Sequence, residues 1–131
     1  MKLTRTRTNA VVLVLKALSL VLGFWFIGSG MTKLLGIQSQ VDNFARWGYP
    51  GWFRLLTGAI EVSAAVLLIV SVLVGRLATI GALLIVGVMC GALYTRIANN
   101  EPVSTIVPPI ILLLIALVVA WFRRGELLDR S

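Results

Sequence analysis

Histidine is absent from this chain, and cysteine occurs once, at Cys90. The side chains that usually hold haem, zinc or an iron–sulfur cluster are therefore missing, so no metal site and no cofactor of the protein's own are expected. A single thiol also excludes an internal disulfide. Charge is scarce too: 13% of the residues are charged, against roughly 25% in an ordinary soluble domain. Only five residues are acidic. What fills the chain is apolar. Of 131 residues, 59% are hydrophobic, and the mean hydropathy is +0.98. Once membrane-length runs are counted, almost nothing remains for a soluble catalytic module. The expectation is one polytopic membrane domain over residues 1–131.

The net charge of +7 raises the question of nucleic acid. The basic residues flank apolar runs rather than forming a patch, which is the placement of topology determinants and lipid-headgroup contacts. Membrane lipids are expected as partners, and nucleic acid is not. The opening MKLTRTRT and its apolar sequel imitate a secretory signal. The run is too long for a signal core and no A-x-A site closes it, so it reads as a first span.

Four spans are predicted, over about 10–33, 52–74, 76–97 and 104–122. Each is long enough to cross a ~30 Å hydrocarbon core as a helix. Backbone polar groups in lipid must be satisfied within each segment, which excludes open strands. The fold class is therefore all-α, an integral membrane four-helix bundle. Lys2, Arg5, Arg7, Arg76, Arg123, Arg124 and Arg130 fall at one end, with Lys16 able to snorkel there, while Lys33, Arg46, Arg54 and Arg96 fall at the other. Seven or eight against four places both termini in the cytoplasm.

Gly36 to Gly51 is the longest connection. Ser39 and Asp42 have the spacing of a capping box, which predicts a short interfacial helix with Val41, Phe44 and Ala45 against apolar surface. Trp47, Tyr49, Trp52 and Phe53 form an aromatic belt. Val74-Gly75-Arg76 predicts a tight hairpin. Pro108 and Pro109 predict a helical or bent backbone from Ser104.

Glu61 is the residue that asks for an explanation. It lies about nine residues inside the second span, which puts its carboxyl ~13 Å below the interface. A carboxylate there costs several kcal/mol unless it is neutral, paired or wet. Arg54, Thr57, Gly58 and Glu61 share one helical face, continued by Ala64, Ala65 and Leu68. Gly23, Phe26, Gly30 and Lys33 share a face of the first span; Gly87, Cys90, Gly91 and Tyr94 share one of the third. Convergence of these faces predicts a polar pocket in the outer half of the bundle. Lys33, Arg54, Glu61 and Tyr94 are its candidate ligand-binding residues, and Glu61 is the candidate catalytic or proton-handling group. A dry Glu61 without a counter-charge stays protonated and can shuttle a proton; paired with Lys33 or Arg54 it stays charged. The plainer alternatives are an ion pair that sets helix register, a snorkelling Lys33, and interfacial anchors at Arg54, Tyr94 and Arg96. Gly87-x-x-x-Gly91 reads as packing within the bundle, and Met89 and Cys90 as core.

Several short motifs follow in order. They are Gly28-Ser29-Gly30-Met31-Thr32-Lys33-Leu34, Phe44 with Gly48-Tyr49-Pro50, Gly58-Ala59-Ile60-Glu61, and Gly75-Arg76. Together they resemble the DoxX family of small bacterial four-span membrane proteins, from about Lys16 to Phe122. The resemblance implies a four-helix bundle in the cytoplasmic (inner) membrane and a link to sulfur, thiol or oxidative-stress redox. Relatives include the membrane subunit of a thiosulfate:quinone oxidoreductase. Others belong to oxidative-stress complexes with superoxide dismutase and a sulfurtransferase, and more distant ones are eukaryotic assembly chaperones and cargo receptors of the secretory pathway. The leading expectation is an accessory subunit, not an enzyme on its own, that binds a quinone, a lipid or a protein partner, or a second copy of itself. The alternatives are a quinone-reducing oxidoreductase subunit with Glu61 as proton relay, and a small proton-coupled transporter.

Overall fold

The computed structural model describes residues 2–128, with side chains from Asn9 to Glu126. Its elements are α1 (Lys2–Leu34), α2 (Gln38–Arg46), α3 (Gly51–Val70), α4 (Leu77–Ala98), α5 (Val103–Phe122) and α6 (Arg124–Leu128). The apolar helical segments Asn9–Leu34, Gly51–Val70, Leu77–Ala98 and Val103–Phe122 are each long enough to cross a membrane. The all-α bundle and the short helix between the first two spans are both present. Of the basic residues counted for orientation, Arg130 lies outside the described residues, as do the side chains of Lys2, Arg5 and Arg7.

The bundle is inside-out by soluble standards. Leu13, Phe24, Leu73 and Trp121 are among many large apolar side chains on its outer surface. The interior is built from small residues: Ala64, Ala65, Ala78, Ala82, Ala116 and Ala120 surround Leu22, Phe26, Leu68 and Ile85. Lipid is as apolar as leucine, so helices in it associate by close packing, which small residues permit. α1 lies along α3, α3 along α4 and α4 along α5, while α1 and α5 touch less. Three contacts depend on missing side chains. A methyl group at Gly30 would sit 2.8 Å from the Gly58 carbonyl oxygen; one at Gly58 would sit 2.9 Å from the Gly30 carbonyl oxygen; one at Gly81 would sit 3.0 Å from that of Ala64. Gly87 and Gly91, by contrast, are exposed and would meet nothing within 4 Å. The expected packing role of that pair within the bundle is therefore corrected. The buried stripe of α4 is instead Ala78, Gly81, Ala82, Ile85 and Met89. That rotation buries Met89, as expected, but exposes Cys90, which is not core.

The connections differ from expectation in detail. α2 starts after Ile37, and no side chain caps it. Asp42 instead accepts a hydrogen bond from Gln38 at 2.7 Å, within the helix, so Ser39 and Asp42 do not form a capping box. Phe44 is buried and Val41 half-buried, but Ala45 faces outward. α3 ends at Val70, and Ser71–Arg76 form turns, a longer link than a tight hairpin. Gly36 and Gly48 take φ of 69° and 83°, the left-handed backbone that releases α1 into α2 and α2 into α3. α5 is helical through Pro108 and Pro109 from Val103.

Substituting Gly30 or Gly58 with valine is expected to cost about 1–3 kcal/mol by overpacking. Gly87→Ala and Gly91→Ala should be neutral or slightly stabilising. Thermal unfolding of the detergent-solubilised variants checks this.

Candidate functional site

Glu61 is on the inward face of α3, 1% exposed, and points at α1 rather than at lipid. Lys33 Nζ lies 3.0 Å from its Oε2. Ser29, one turn before Lys33 on the same face of α1, joins them: its hydroxyl donates to Glu61 Oε2 at 3.2 Å and accepts from Lys33 Nζ at 2.9 Å. This triangle exists because Gly30 and Gly58 let the two helix backbones touch at this level. Lys33, not Arg54, is the partner of Glu61. Arg54 donates from Nη1 to the Lys33 carbonyl, holding the end of α1. A cation at a helix C-terminus is well placed against the helix dipole. Tyr94 stands at the rim, 72% exposed.

Beside the triangle is a cavity of about 600 Å³, within the size range of small-molecule sites. Its walls are contributed by all four spans and α2. The lining is graded. Ser29, Lys33, Gln40, Trp47, Tyr49, Thr95 and Arg96 lie at the α2 end, while Trp25, Phe26, Leu83, Leu84 and Leu112 line the part further from α2, where Trp25, Leu83 and Leu84 are also exposed at the outer surface. Pro108 and Pro109 also face it. The aromatic residues expected as a lipid belt divide. Trp47, Tyr49 and Phe53 pack with Phe44 of α2, with centroids 4.8–6.3 Å apart, and line the cavity, whereas Trp52 is exposed.

α2 covers the mouth and is tied to the far side. Arg46 donates to Glu101 at 2.7 Å, Trp47 Nε1 to the same oxygen at 2.9 Å, and Tyr49 hydroxyl pairs with Thr95 hydroxyl at 2.7 Å. The Trp47 and Arg46 hydrogen bonds hold the Glu101 carboxyl below its ordinary value of 4.5.

A second buried charge, read from the sequence as a headgroup contact, lies at the opposite end. Arg123 is 1% exposed. It donates to Ser19 and Ser71 hydroxyls and to the Ser71 carbonyl, each at 3.0 Å, and to both oxygens of Glu126 at 2.5 and 2.9 Å. The guanidinium therefore bolts α1, the end of α3 and α6 to α5. An arginine just past an apolar run looks like an anchor; the sequence signal that it is not one is faint, a serine in each of two spans.

Removing one member of a buried pair strands the other. Lys33→Met is expected to destabilise by about 3–5 kcal/mol, and the double variant Lys33→Met/Glu61→Gln to recover most of that loss in a thermal unfolding cycle. The Glu101 latch has a pH signature. Because its folded pKa is depressed, its contribution is complete above the ordinary value and is lost as pH falls through the folded value. The difference in melting temperature between wild type and Glu101→Gln should be present at pH 7 and vanish progressively below pH 4.5.

The sequence model of the DoxX-like family matches residues 17–119. The chain is also 26% identical over 100 residues to a Bacillus subtilis (strain 168) protein named Uncharacterized protein YdgD, a match covering 75% of this chain and 87% of the relative. No solved structure matches. The family match takes in most of the first apolar helix, all of the second and third, and nearly all of the fourth, as the ordered motifs of the sequence anticipate. This chain is a multi-pass membrane protein and belongs to the DoxX-like family.

Proposed function

We propose that this protein is an accessory membrane subunit that holds a small amphiphile, of the quinone or lipid class, for a protein partner in sulfur, thiol or oxidative-stress redox. The observation that carries the reading is the graded cavity. A molecule with a polar end and an apolar body matches walls that are polar at the α2 end and apolar below. Lys33, held by Glu61 and Ser29, orients the polar end. Pairing keeps the ammonium from being an isolated charge in lipid and fixes its position, so it contributes direction rather than a free ion. The redox half of the proposal belongs to the partner. The chain has no histidine and one cysteine, which lies outside the lining of the cavity. Residence in the cytoplasmic membrane with both termini inside is part of the same proposal and follows the distribution of Lys and Arg.

The test is gentle extraction from native membranes and mass spectrometry of what co-purifies. An amphiphile is expected at near-equal amounts with the wild-type protein, reduced roughly tenfold in Lys33→Ala, as loss of a charged hydrogen bond predicts. Equal recovery from Lys33→Ala, Glu61→Gln and wild type, or none above a detergent blank, overturns the proposal.

A further inference from the structure

The cavity carries one charge that the fold leaves unanswered. Its lining holds two cations, Lys33 and Arg96, and one anion, Glu61. Lys33 and Glu61 cancel at 3.0 Å. Arg96, in the last turn of α4, has no such partner: among the described residues no ion pair joins it to a carboxylate, and its Nε is buried without a hydrogen-bond acceptor. Trp47 covers one face of the guanidinium, with the Cζ atom 5.2 Å from the ring centroid. Stacking of that kind leaves the N–H edge free. The nearby carboxylate, Glu101, is already engaged by Arg46 and Trp47. That Nε is covered by the protein itself, so an occupant's acceptor meets the terminal amino groups of the guanidinium, which are not buried and to which a charge-assisted hydrogen bond can form.

The length of the cavity speaks to the rest of the molecule. Leu83 and Arg96 both line it and lie thirteen residues apart on one helix. At 1.5 Å per residue the apolar channel reaches roughly 20 Å from the guanidinium, a little more than the ~15 Å half-thickness of a bilayer's hydrocarbon core. That is the reach of one extended acyl chain. Two chains of that length would crowd a cavity of about 600 Å³.

We infer that the occupant is a single-chain anionic amphiphile, with a carboxylate or phosphate head on the Arg96 guanidinium and its chain running down α4 towards Leu83. This rests on the reading of the cavity as an amphiphile site and adds the charge of the head and the number of chains. Arg96 is then the specificity-determining residue, and Lys33, neutralised by Glu61, contributes a positioned hydrogen-bond donor rather than net charge.

The purified full chain in a neutral maltoside detergent, photolabelled with a diazirine analogue of palmitate, tests this. Labelling is expected on α4 and α5 between Leu83 and Leu112. Unlabelled palmitate or lysophosphatidic acid should compete, with the stronger of the two identifying the head, and hexadecanol should compete at least roughly tenfold less well. Arg96→Gln should remove that preference, Arg96→Lys should retain part of it, and Arg124→Gln, at the opposite end of the bundle, should leave it intact. Melting temperatures of the variants separate loss of binding from loss of fold. Equal competition by hexadecanol and palmitate, or an anion preference that survives Arg96→Gln, overturns the head-group assignment while leaving an amphiphile site standing. Labelling confined to the lipid-facing surface, or none, overturns both.

Discussion

A hydrocarbon solvent offers no hydrogen bonds, so a charge that this bundle carries below its surface must be answered by the protein or by something bound to it. Glu61 is answered by Lys33 and Ser29, and Arg123 by Ser19, Ser71 and Glu126. These two clusters sit at opposite ends of the helices, and each ties α1 to α3. Between them the helices are held by alanine and glycine contacts, because burying leucine against leucine gains little where lipid competes on equal terms. Polar clusters therefore set the register, and small residues set the distance.

Close packing on one side has a consequence on the other. α1, α3 and α4 approach closely enough that methyl groups at Gly30, Gly58 or Gly81 would collide with backbone. α1 and α5 approach less, and the cavity occupies the α2 end of the bundle. Aromatic rings from α2 and the start of α3, which would otherwise sit at the membrane interface, turn inward to wall it. The lid so formed rests on this aromatic cluster and is latched across the bundle by Glu101, which adds a polar, titratable element to the cover over the cavity. The amphiphile proposal grows from this geometry: a polar end carrying Lys33 and Arg96, and an apolar wall beyond it.

The sequence and the structure agree where physics is local and part where it is not. Membrane-length runs must be helical in lipid, so the four spans and their lengths were legible from hydropathy, and Pro108 and Pro109 did not break α5. Glu61 stood out because an acid in a span is costly wherever it lands. The Lys33 alternative to Arg54 was left open by sequence, since both residues lie within a turn or two of the right level. Ser29, Arg96 and Arg123 passed as a motif residue and two anchors, because their meaning depends on what another helix brings within 3 Å. The Gly87 and Gly91 pair misled for the same reason: a small-residue spacing marks a possible contact, and helix rotation decides whether a neighbour fills it.

By itself, the amino-acid order determined that the protein has four membrane-length apolar helices, that it has no histidine and a single cysteine, and that one buried carboxyl needs a partner. These follow from transfer free energies and residue chemistry, which belong to each segment separately. Only the tertiary structure decided which cation pairs with Glu61, which face of α4 turns inward, that Arg123 is interior, and that Arg96 is left unanswered beside a cavity. Those depend on the relative rotation and depth of helices far apart in the chain, set by backbone contacts at Gly30, Gly58 and Gly81 that no single segment encodes.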